Sequence, residues 1–252
     1  MVFYCHGWPS SRLEAGLVSG LPLRLIAADR PGYGLSDPHR AGTLKTRAQD
    51  LAALADHLGL QRFPIVGVSG GGPLAAACAF HLPDRVAALC LISAVPPPHA
   101  VDGAGLGLLM RLGRWPIWGG PALRLARRLV LSDRFAHPST FRGTLPPSDA
   151  RVLTPTAQKA LIAAMREGFR TGAHGALDDA RLYGRPWGFD LAGIRVSTAV
   201  WHGTQDQLVD VTAAQAFAVI SGVEMHILEG QGHYGPALGE TAMILEDLLR
   251  RS

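Results

Sequence analysis

The stretch that decides the fold is Pro64-Ile65-Val66-Gly67-Val68-Ser69-Gly70-Gly71-Gly72, in which an apolar run passes directly into glycines around one serine. A continuous apolar run is typical of a strand covered on both faces of a parallel sheet. The pattern Gly67-x-Ser69-x-Gly71 predicts a sharp turn into a helix, because the strained serine leaves no room for side chains two residues away. We therefore expect the Ser69 hydroxyl to stand out of the sheet, beside helical N–H groups that can stabilise an oxyanion.

Strands and helices alternate along most of the 252-residue chain. Apolar runs predict six strands, at Val2–His6, Leu23–Asp29, Pro64–Ser69, Val86–Ala94, Ser197–His202 and Glu224–Glu229. Helical spacing of apolar residues appears at Leu44–Leu58, Gly72–His81, Val211–Ile220 and Gly239–Arg251. This order predicts an α/β fold with a mostly parallel central sheet of about six strands and helices on both faces.

The alternation is interrupted between residues 97 and 190. Apolar residues at three-to-four spacing there predict helices at Leu106–Leu112, Pro121–Leu131, Thr156–Phe169 and Ala176–Tyr183. We expect residues 1–96 and 191–252 to form a core, and residues 97–190 to form a helical cap over one end of the sheet. Four apolar cap residues would either line a pocket over Ser69 or pack against the core: Leu108, Met110, Trp115 and Trp118.

A serine hydroxyl is a poor nucleophile near neutral pH, so it needs a base and an acid that orients the base. Asp206 directly follows the predicted strand Ser197–His202, and His233 lies in a glycine-rich loop after Glu224–Glu229. All three residues follow the C-terminal ends of strands, where parallel sheets place their sites. Ser69, Asp206 and His233 are therefore the predicted catalytic residues.

Several other polar residues and backbone groups are predicted to have roles other than nucleophile, base or orienting acid. Asp210 falls where a helix begins and is interpreted as an N-cap, and His202 is expected to pack or to form hydrogen bonds. Asp178 and Asp179 are minor candidates for contact with substrate. The backbone N–H groups of Trp8, in His6-Gly7-Trp8-Pro9, and of Gly70 can point into the same site and form an oxyanion hole.

Composition excludes several classes of function. The net charge is +4, and the arginines are scattered, which does not indicate a nucleic-acid surface. No apolar run reaches the ~18–20 residues of a membrane span. Cys5, Cys78 and Cys90 lie in apolar stretches without metal-type spacing, which indicates reduced thiols in a cytoplasmic protein.

These motifs together resemble the α/β-hydrolase superfamily, in particular capped serine esterases with a His-Gly-x-Pro oxyanion loop. The matching pieces are His6-Gly7-Trp8-Pro9, Asp29-Arg30-Pro31-Gly32-Tyr33-Gly34-Leu35-Ser36-Asp37, Gly67-Val68-Ser69-Gly70-Gly71, His202-Gly203-Thr204-Gln205-Asp206 and Gly232-His233. The resemblance implies Ser69 as nucleophile, His233 as general base and acid, and Asp206 as the orienting carboxylate. It also implies Trp8 and Gly70 as oxyanion-hole donors, with no metal and no organic cofactor.

The expected function is that of a carboxylesterase on small to medium apolar esters. A lactonase, an amidase or a C–C bond hydrolase can use the same three residues. A non-catalytic small-molecule binding module on this fold is a further alternative. The serine at position 69 argues against haloalkane dehalogenases and epoxide hydrolases, which resemble the chain but attack with a carboxylate.

The first strand raises a separate expectation. Val2–His6 corresponds to the third strand of the family's usual eight-stranded sheet, so the two preceding strands are expected to be absent. That would leave Leu23–Asp29 as an exposed edge that can pair with another chain, for example in a homodimer. A naturally minimal hydrolase and a start codon assigned too late both explain such a chain.

Overall fold

A computed structural model describes residues 1–18, 23–100 and 119–252 of the chain. The predicted helix Leu106–Leu112 and the cap residues Leu108, Met110, Trp115 and Trp118 lie outside these residues. In the described part the strands are β1 Val2–Cys5, β2 Leu25–Ala27, β3 Phe63–Val68, β4 Val86–Ile92, β5 Ser197–Gly203 and β6 Glu224–Leu228. They form one parallel sheet in the order β2-β1-β3-β4-β5-β6, which confirms the predicted fold class.

The helices have the following bounds: α1 Leu44–His57, α2 Gly72–His81, α3 Gly119–Leu131, α4 Asp133–Ala136, α5 Pro138–Gly143, α6 Pro147–Val152, α7 Pro155–Gly168, α8 His174–Tyr183, α9 Gly235–Gly239 and α10 Thr241–Arg250. Short 3₁₀ segments cover Arg12–Val18, Ser69–Gly71, Pro98–Ala100, Leu191–Gly193 and Val211–Val219. None of the helices in the described ranges combines the length and the apolar content needed to cross a membrane.

Alternate residues of each strand pack against opposite layers of helices, as the two-residue period of a strand requires. On one face, strand residues pack with α1 and α2; examples are Phe3, Ile65, Leu89 and Val200 against Leu44, Ala48 and Ala75. On the other face, strand residues pack with α10; examples are Tyr4, Val66, Cys90 and Ala199 against Ile244 and Leu248. Burial on both faces explains why the central strands are continuously apolar in the sequence.

Two elements differ from their predicted form. The strand predicted at Leu23–Asp29 is reduced to β2, which pairs with β1 at the edge of the sheet and is only half-buried. The helix predicted at Val211–Ile220 is a 3₁₀ segment that begins at the predicted N-cap Asp210, whose Oδ1 accepts the Thr212 N–H at 2.8 Å. Its apolar spacing reflects the burial of Ala213, Ala214 and Phe217, which a 3₁₀ segment achieves equally well.

Helices α3–α8 are inserted between β4 and β5 and approach the loops that follow the first two strands. A Cβ atom on Gly168, the last residue of α7, would lie 2.3 Å from the Ser10 carbonyl oxygen. A Cβ atom on Gly175 of α8 would lie 2.4 Å from the ring of Tyr33. These close approaches place the two helices beside the C-terminal ends of β1 and β2. The boundaries of the cap at residues 97 and 190 stay a prediction.

Candidate active site

Ser69 lies at the turn between β3 and α2 with a left-handed backbone, at φ +51°. The neighbouring glycines are required by contact distances. A Cβ atom on Gly67 would lie 2.7 Å from the Ala75 Cβ, and one on Gly71 would lie 2.0 Å from the Cys5 carbonyl oxygen. The Gly67-x-Ser69-x-Gly71 pattern therefore produces the sharp turn that the sequence predicts, with the serine at the C-terminal end of a central strand.

The structure brings the three predicted catalytic residues together in one hydrogen-bonded chain. His233 Nε2 lies 3.0 Å from Ser69 Oγ, and His233 Nδ1 lies 2.7 Å from Asp206 Oδ2. All three side chains are buried. Because the carboxylate only accepts, Nδ1 carries the hydrogen and Nε2 is left to accept a proton from the serine hydroxyl. The arrangement can therefore activate Ser69 for attack on a carbonyl carbon.

Asp206 is fixed from both of its oxygens. Oδ1 accepts the backbone N–H groups of Leu208 and Val209 at 2.8 and 2.9 Å. Oδ2 faces His233 and also lies 3.2 Å from Nε2 of His202, which in turn lies 2.8 Å from the Val209 carbonyl oxygen. Burial alone would raise the pKa of Asp206, but the two histidines hold it well below its ordinary range. The carboxylate therefore stays charged beside the imidazole.

His233 has the opposite balance of effects. Burial disfavours the imidazolium, but the Asp206 carboxylate outweighs burial and raises the pKa of His233 above its ordinary 6.5.

The loop that carries His233 is held by two residues that no sequence motif indicates. The Ser93 hydroxyl donates to the His233 carbonyl at 2.9 Å, and Asp149 Oδ1 accepts the Tyr234 N–H at 2.7 Å.

The predicted oxyanion donors Trp8 and Gly70 lie against each other beside Ser69. A Cβ atom on Gly70 would lie 2.4 Å from the Trp8 Cβ and 3.0 Å from the Trp8 backbone nitrogen. The Trp8 indole N–H donates to the Ala176 carbonyl of α8 at 2.8 Å, which holds this side chain in place. The two backbones therefore meet at the turn, and the role of their N–H groups stays a prediction.

A cavity of about 70 Å³ opens beside Ser69 and His233. Its lining is mostly apolar and includes Val18, Val68, Leu161, Met165, Leu208 and Leu238. Leu161 and Met165 belong to α7, so the inserted helices supply part of the wall. The cavity also has an acidic residue, Glu14, whose Oε1 accepts the Tyr4 hydroxyl at 3.0 Å and the Gly7 N–H at 2.8 Å. Burial raises the pKa of Glu14.

The remaining acidic candidates do not line this cavity. Asp179 is fully buried between the guanidinium groups of Arg30 and Arg47, and Asp178 lies 3.4 Å from Arg181. The minor expectation that either carboxylate contacts substrate is therefore replaced by roles in ion pairs. A buried carboxylate needs such partners, because desolvation of an unpaired charge is expensive.

No group of three metal-binding side chains occurs within residues 1–18, 23–100 and 119–252. Cys5, Cys78 and Cys90 are buried and unpaired, as the sequence predicts. Burial raises the pKa of Cys5 to about 12, which keeps this thiol protonated at neutral pH. A reactive cysteine thiolate is therefore not supported at this position.

The sequence matches a known protein family and curated relatives. Residues 1–239 match the family model described as alpha/beta hydrolase fold. The 2-hydroxymuconate semialdehyde hydrolase of Pseudomonas putida is 28% identical over 219 residues, which cover 84% of this chain and 70% of that protein. A bifunctional esterase/perhydrolase of Acinetobacter calcoaceticus is 40% identical over 103 residues, which cover 38% of this chain and 37% of that protein.

A solved structure extends the comparison to nearly the whole chain. The alpha/beta hydrolase fold protein from Nakamurella multipartita is 27% identical and matches with a TM-score of 0.71, covering 99% of this chain and 92% of that one. The family model covers 239 of the 252 residues, a range that includes Ser69, Asp206 and His233. The chain therefore belongs to the α/β-hydrolase fold family and is a hydrolase of that fold.

Proposed function

We propose that this protein is a serine carboxylesterase that cleaves small to medium apolar esters through an acyl-enzyme on Ser69. One observation carries the proposal: Ser69 and His233, which are hydrogen-bonded in a chain that leads to Asp206, both line the wall of an apolar cavity. Such a chain lets a serine act as nucleophile near neutral pH, and the cavity offers a place for an apolar acyl or alcohol group.

The reaction proceeds in two halves. Ser69 Oγ forms a bond to the ester carbonyl carbon while its proton moves to His233 Nε2, and the carbonyl π pair moves to the oxygen. The N–H groups of Trp8 and Gly70 stabilise that oxyanion. The tetrahedral intermediate then expels the alcohol, which takes the proton from His233. Water then attacks the acyl carbonyl carbon while one of its protons moves to His233. The second tetrahedral intermediate expels Ser69 Oγ, which takes that proton back as the acid is released.

Asp206 contributes in both halves. Its carboxylate stabilises the imidazolium that forms on His233 and holds the ring with Nε2 directed at Ser69. The two backbone N–H groups that donate to Oδ1 hold the carboxylate in place beside His233. The geometry needs no metal and no organic cofactor for either half of the reaction.

The cavity supports the proposed substrate class. Its small volume suits short acyl chains, and Leu161, Met165 and Leu238 offer carbon surface rather than charge. We include in the proposal that the inserted helices act as the cap of this site, since α7 provides two of these three residues. Nothing in the lining favours a nucleic acid or another large polyanion.

The test is hydrolysis of p-nitrophenyl esters from acetate to octanoate by the purified protein. Ser69→Ala should remove turnover completely at the level of detection, whereas Ser221→Ala, at an exposed serine, should leave it unchanged. Turnover that survives in Ser69→Ala would contradict the proposal. A wild-type protein that hydrolyses none of these esters, but whose thermal stability rises when a ligand is added, would also contradict it and would favour a binding module.

A second candidate is hydrolytic cleavage of a carbon–carbon bond with the same residues. It is favoured by the similarity to the 2-hydroxymuconate semialdehyde hydrolase over 84% of the chain. Supplying 2-hydroxymuconate semialdehyde and following its absorbance separates the two candidates. Faster turnover of that compound than of any ester in the panel would make the carbon–carbon cleavage the main activity.

Two further properties belong to the proposal. We place the protein in the cytoplasm, which the three buried, unpaired cysteines support. We also propose a homodimer through the outer edge of β2, which is the last strand of the sheet among the described residues and pairs with β1 on its inner side. Light scattering tests the second point, since a monomer at all concentrations would contradict it.

A further inference from the structure

The peptide between Gly7 and Trp8 is held from the side opposite to its N–H group. The Gly7 carbonyl oxygen accepts from Arg30 Nη2 at 2.9 Å and lies 3.0 Å from His6 Nδ1. The carbonyl and the N–H of a planar trans peptide point in opposite directions. Anchoring the carbonyl therefore fixes the direction of the Trp8 N–H, which the proposed function assigns to the oxyanion hole.

The Arg30 side chain is itself fixed by several partners. It is buried, and its Nη1 also donates to the His6 carbonyl. Its Nε and Nη2 lie 2.9 and 2.8 Å from Oδ2 of Asp179, a fully buried carboxylate on α8. Arg47 pairs with the other oxygen of Asp179, and the Tyr33 hydroxyl donates to Oδ2 at 2.7 Å. The guanidinium group is thus held in one orientation.

Helix α8 also contacts both residues of the predicted oxyanion hole directly. The Trp8 indole donates to the Ala176 carbonyl at 2.8 Å, and the Tyr183 hydroxyl donates to the Gly70 carbonyl at 2.5 Å. One inserted helix therefore supplies a carbonyl, a hydroxyl and, through Asp179, a fixed guanidinium to the same site. Because these three contacts of α8 all reach the predicted oxyanion hole, the ion pair of Arg30 with Asp179 does more than join a helix to the core.

We infer that Arg30, oriented by Asp179, is a positioning residue for the oxyanion hole. The inference rests on the proposed function, because an oxyanion forms only if Ser69 attacks a carbonyl carbon. Arg30 acts in two ways: it sets the direction of the Trp8 N–H, and its positive charge at the carbonyl polarises the peptide and strengthens that N–H as a donor. An N–H group that is aimed and polarised in advance stabilises the developing oxyanion more than the neutral carbonyl oxygen of the bound substrate, so both effects favour the transition state.

If Arg30 had only a structural role, the effects of replacing it would be different. If Arg30 only joins α8 to the core, its loss lowers stability and disturbs binding of all ligands alike. If it positions the oxyanion hole, its loss selectively weakens ligands that carry an oxyanion. Arg47 offers a matched control, because it pairs with the same carboxylate of Asp179 but its described hydrogen bonds do not reach the Gly7–Trp8 peptide.

The experiment compares two ketones with the same alkyl chain, one a trifluoromethyl ketone and one a methyl ketone. In the first, Ser69 Oγ bonds to the carbonyl carbon, the π pair moves to the oxygen and the serine proton moves to His233, which gives a hemiketal oxyanion. The methyl ketone binds without this addition. Affinities are measured for the wild-type protein, Arg30→Gln and Arg47→Gln, with ¹⁹F NMR to observe the hemiketal.

Arg30→Gln should weaken the trifluoromethyl ketone by about tenfold to a hundredfold while the methyl ketone changes by less than about twofold. For ester hydrolysis, kcat should fall by a similar factor with KM nearly constant. Arg47→Gln should lower thermal stability without changing the ratio of the two affinities. Arg30→Lys, which keeps the charge, should recover part of the lost affinity. If Arg30→Gln does not fold, the ratio of the two ketone affinities is measured on Arg30→Lys instead.

Equal weakening of both ketones by the Arg30 variants, or the same selective loss in Arg47→Gln, would overturn the inference. The ketones also separate it from the proposed function, since hemiketal formation requires no turnover. A wild-type protein that hydrolyses no ester of the panel contradicts the proposed function, and the ketone pair then still tests Arg30. A wild-type protein that prefers neither ketone contradicts both.

Discussion

Asp149 holds the residue that follows His233, because its Oδ1 accepts the Tyr234 backbone N–H at 2.7 Å. Asp149 lies on the short inserted helix α6 and is fully buried. The contact also explains Gly232, where a Cβ atom would lie 2.5 Å from the same oxygen. The inserted segment thus reaches the loop that carries His233, and the charge on Asp149 favours the imidazolium form of that residue.

The first prediction concerns the pH dependence of ester hydrolysis. His233 must be neutral to accept the Ser69 proton, and Asp206 raises the pKa of His233 above 6.5. Activity should therefore rise with pH, and the acid limb of kcat/KM should have an apparent pKa above 6.5. A pH profile with a p-nitrophenyl ester measures it. A limb below 6.5 would contradict the proposed balance of burial and charge.

The second prediction is a shift of that limb by Asp149→Asn. The amide keeps an oxygen that can accept the Tyr234 N–H, but it removes a negative charge that raises the pKa of His233. The limb should move to lower pH, while kcat at the plateau changes by less than about threefold. Asp178→Asn removes another buried carboxylate of the inserted helices, on α8, and is the matched control that should not move the limb. An unchanged limb in Asp149→Asn would show that Asp149 is neutral in the active protein.

The third prediction concerns the contact between the turn and the loop after β1. Gly70→Ala places a Cβ atom 2.4 Å from the Trp8 Cβ and 3.0 Å from the Trp8 nitrogen, so one backbone must move. We expect kcat to fall by about a hundredfold, comparable to the loss of one oxyanion donor. Gly16→Ala is the control, because a Cβ atom there meets nothing within 4 Å.

The two variants are compared by kcat and by thermal unfolding. A folded Gly70→Ala protein with normal kcat would show that the Trp8 and Gly70 backbones can separate without consequence. That result would remove Trp8 from the oxyanion hole and would leave Gly70 as a packing residue of the turn.

Much of this architecture could be predicted from the sequence because its determinants are local. Apolar runs buried on both faces mark β3 and β4, and glycines mark the turn at Ser69. Asp206 and His233 could be predicted as site residues because each comes shortly after the C-terminal end of a strand. Helical spacing could not distinguish an α-helix from the 3₁₀ segment Val211–Val219, since both bury a similar stripe.

Long-range ion pairs gave no such local pattern. Arg30 and Asp179 are 149 residues apart, and each is an ordinary charged residue within a loop or a helix pattern. Asp149 likewise belongs to a short helix whose docking on the loop of His233 depends on the path of the inserted segment. Such residues can be identified only from the folded structure, which shows which charges are buried together. In this protein they lie beside the loops that carry Trp8 and His233.

The last prediction tests how the inserted helices select substrates. Met165 of α7 lines the cavity beside Ser69 and is only half-buried, so its side chain can be shortened without emptying a closed core. Met165→Ala should lengthen the space available to the acyl group. The ratio of kcat/KM for octanoate to that for acetate should rise by about tenfold, since added methylene contacts each contribute to transition-state binding. Met243→Ala, at a methionine with 43% exposure on α10, should leave the ratio unchanged. An unchanged ratio in Met165→Ala would mean that the acyl chain leaves Ser69 in another direction, away from α7.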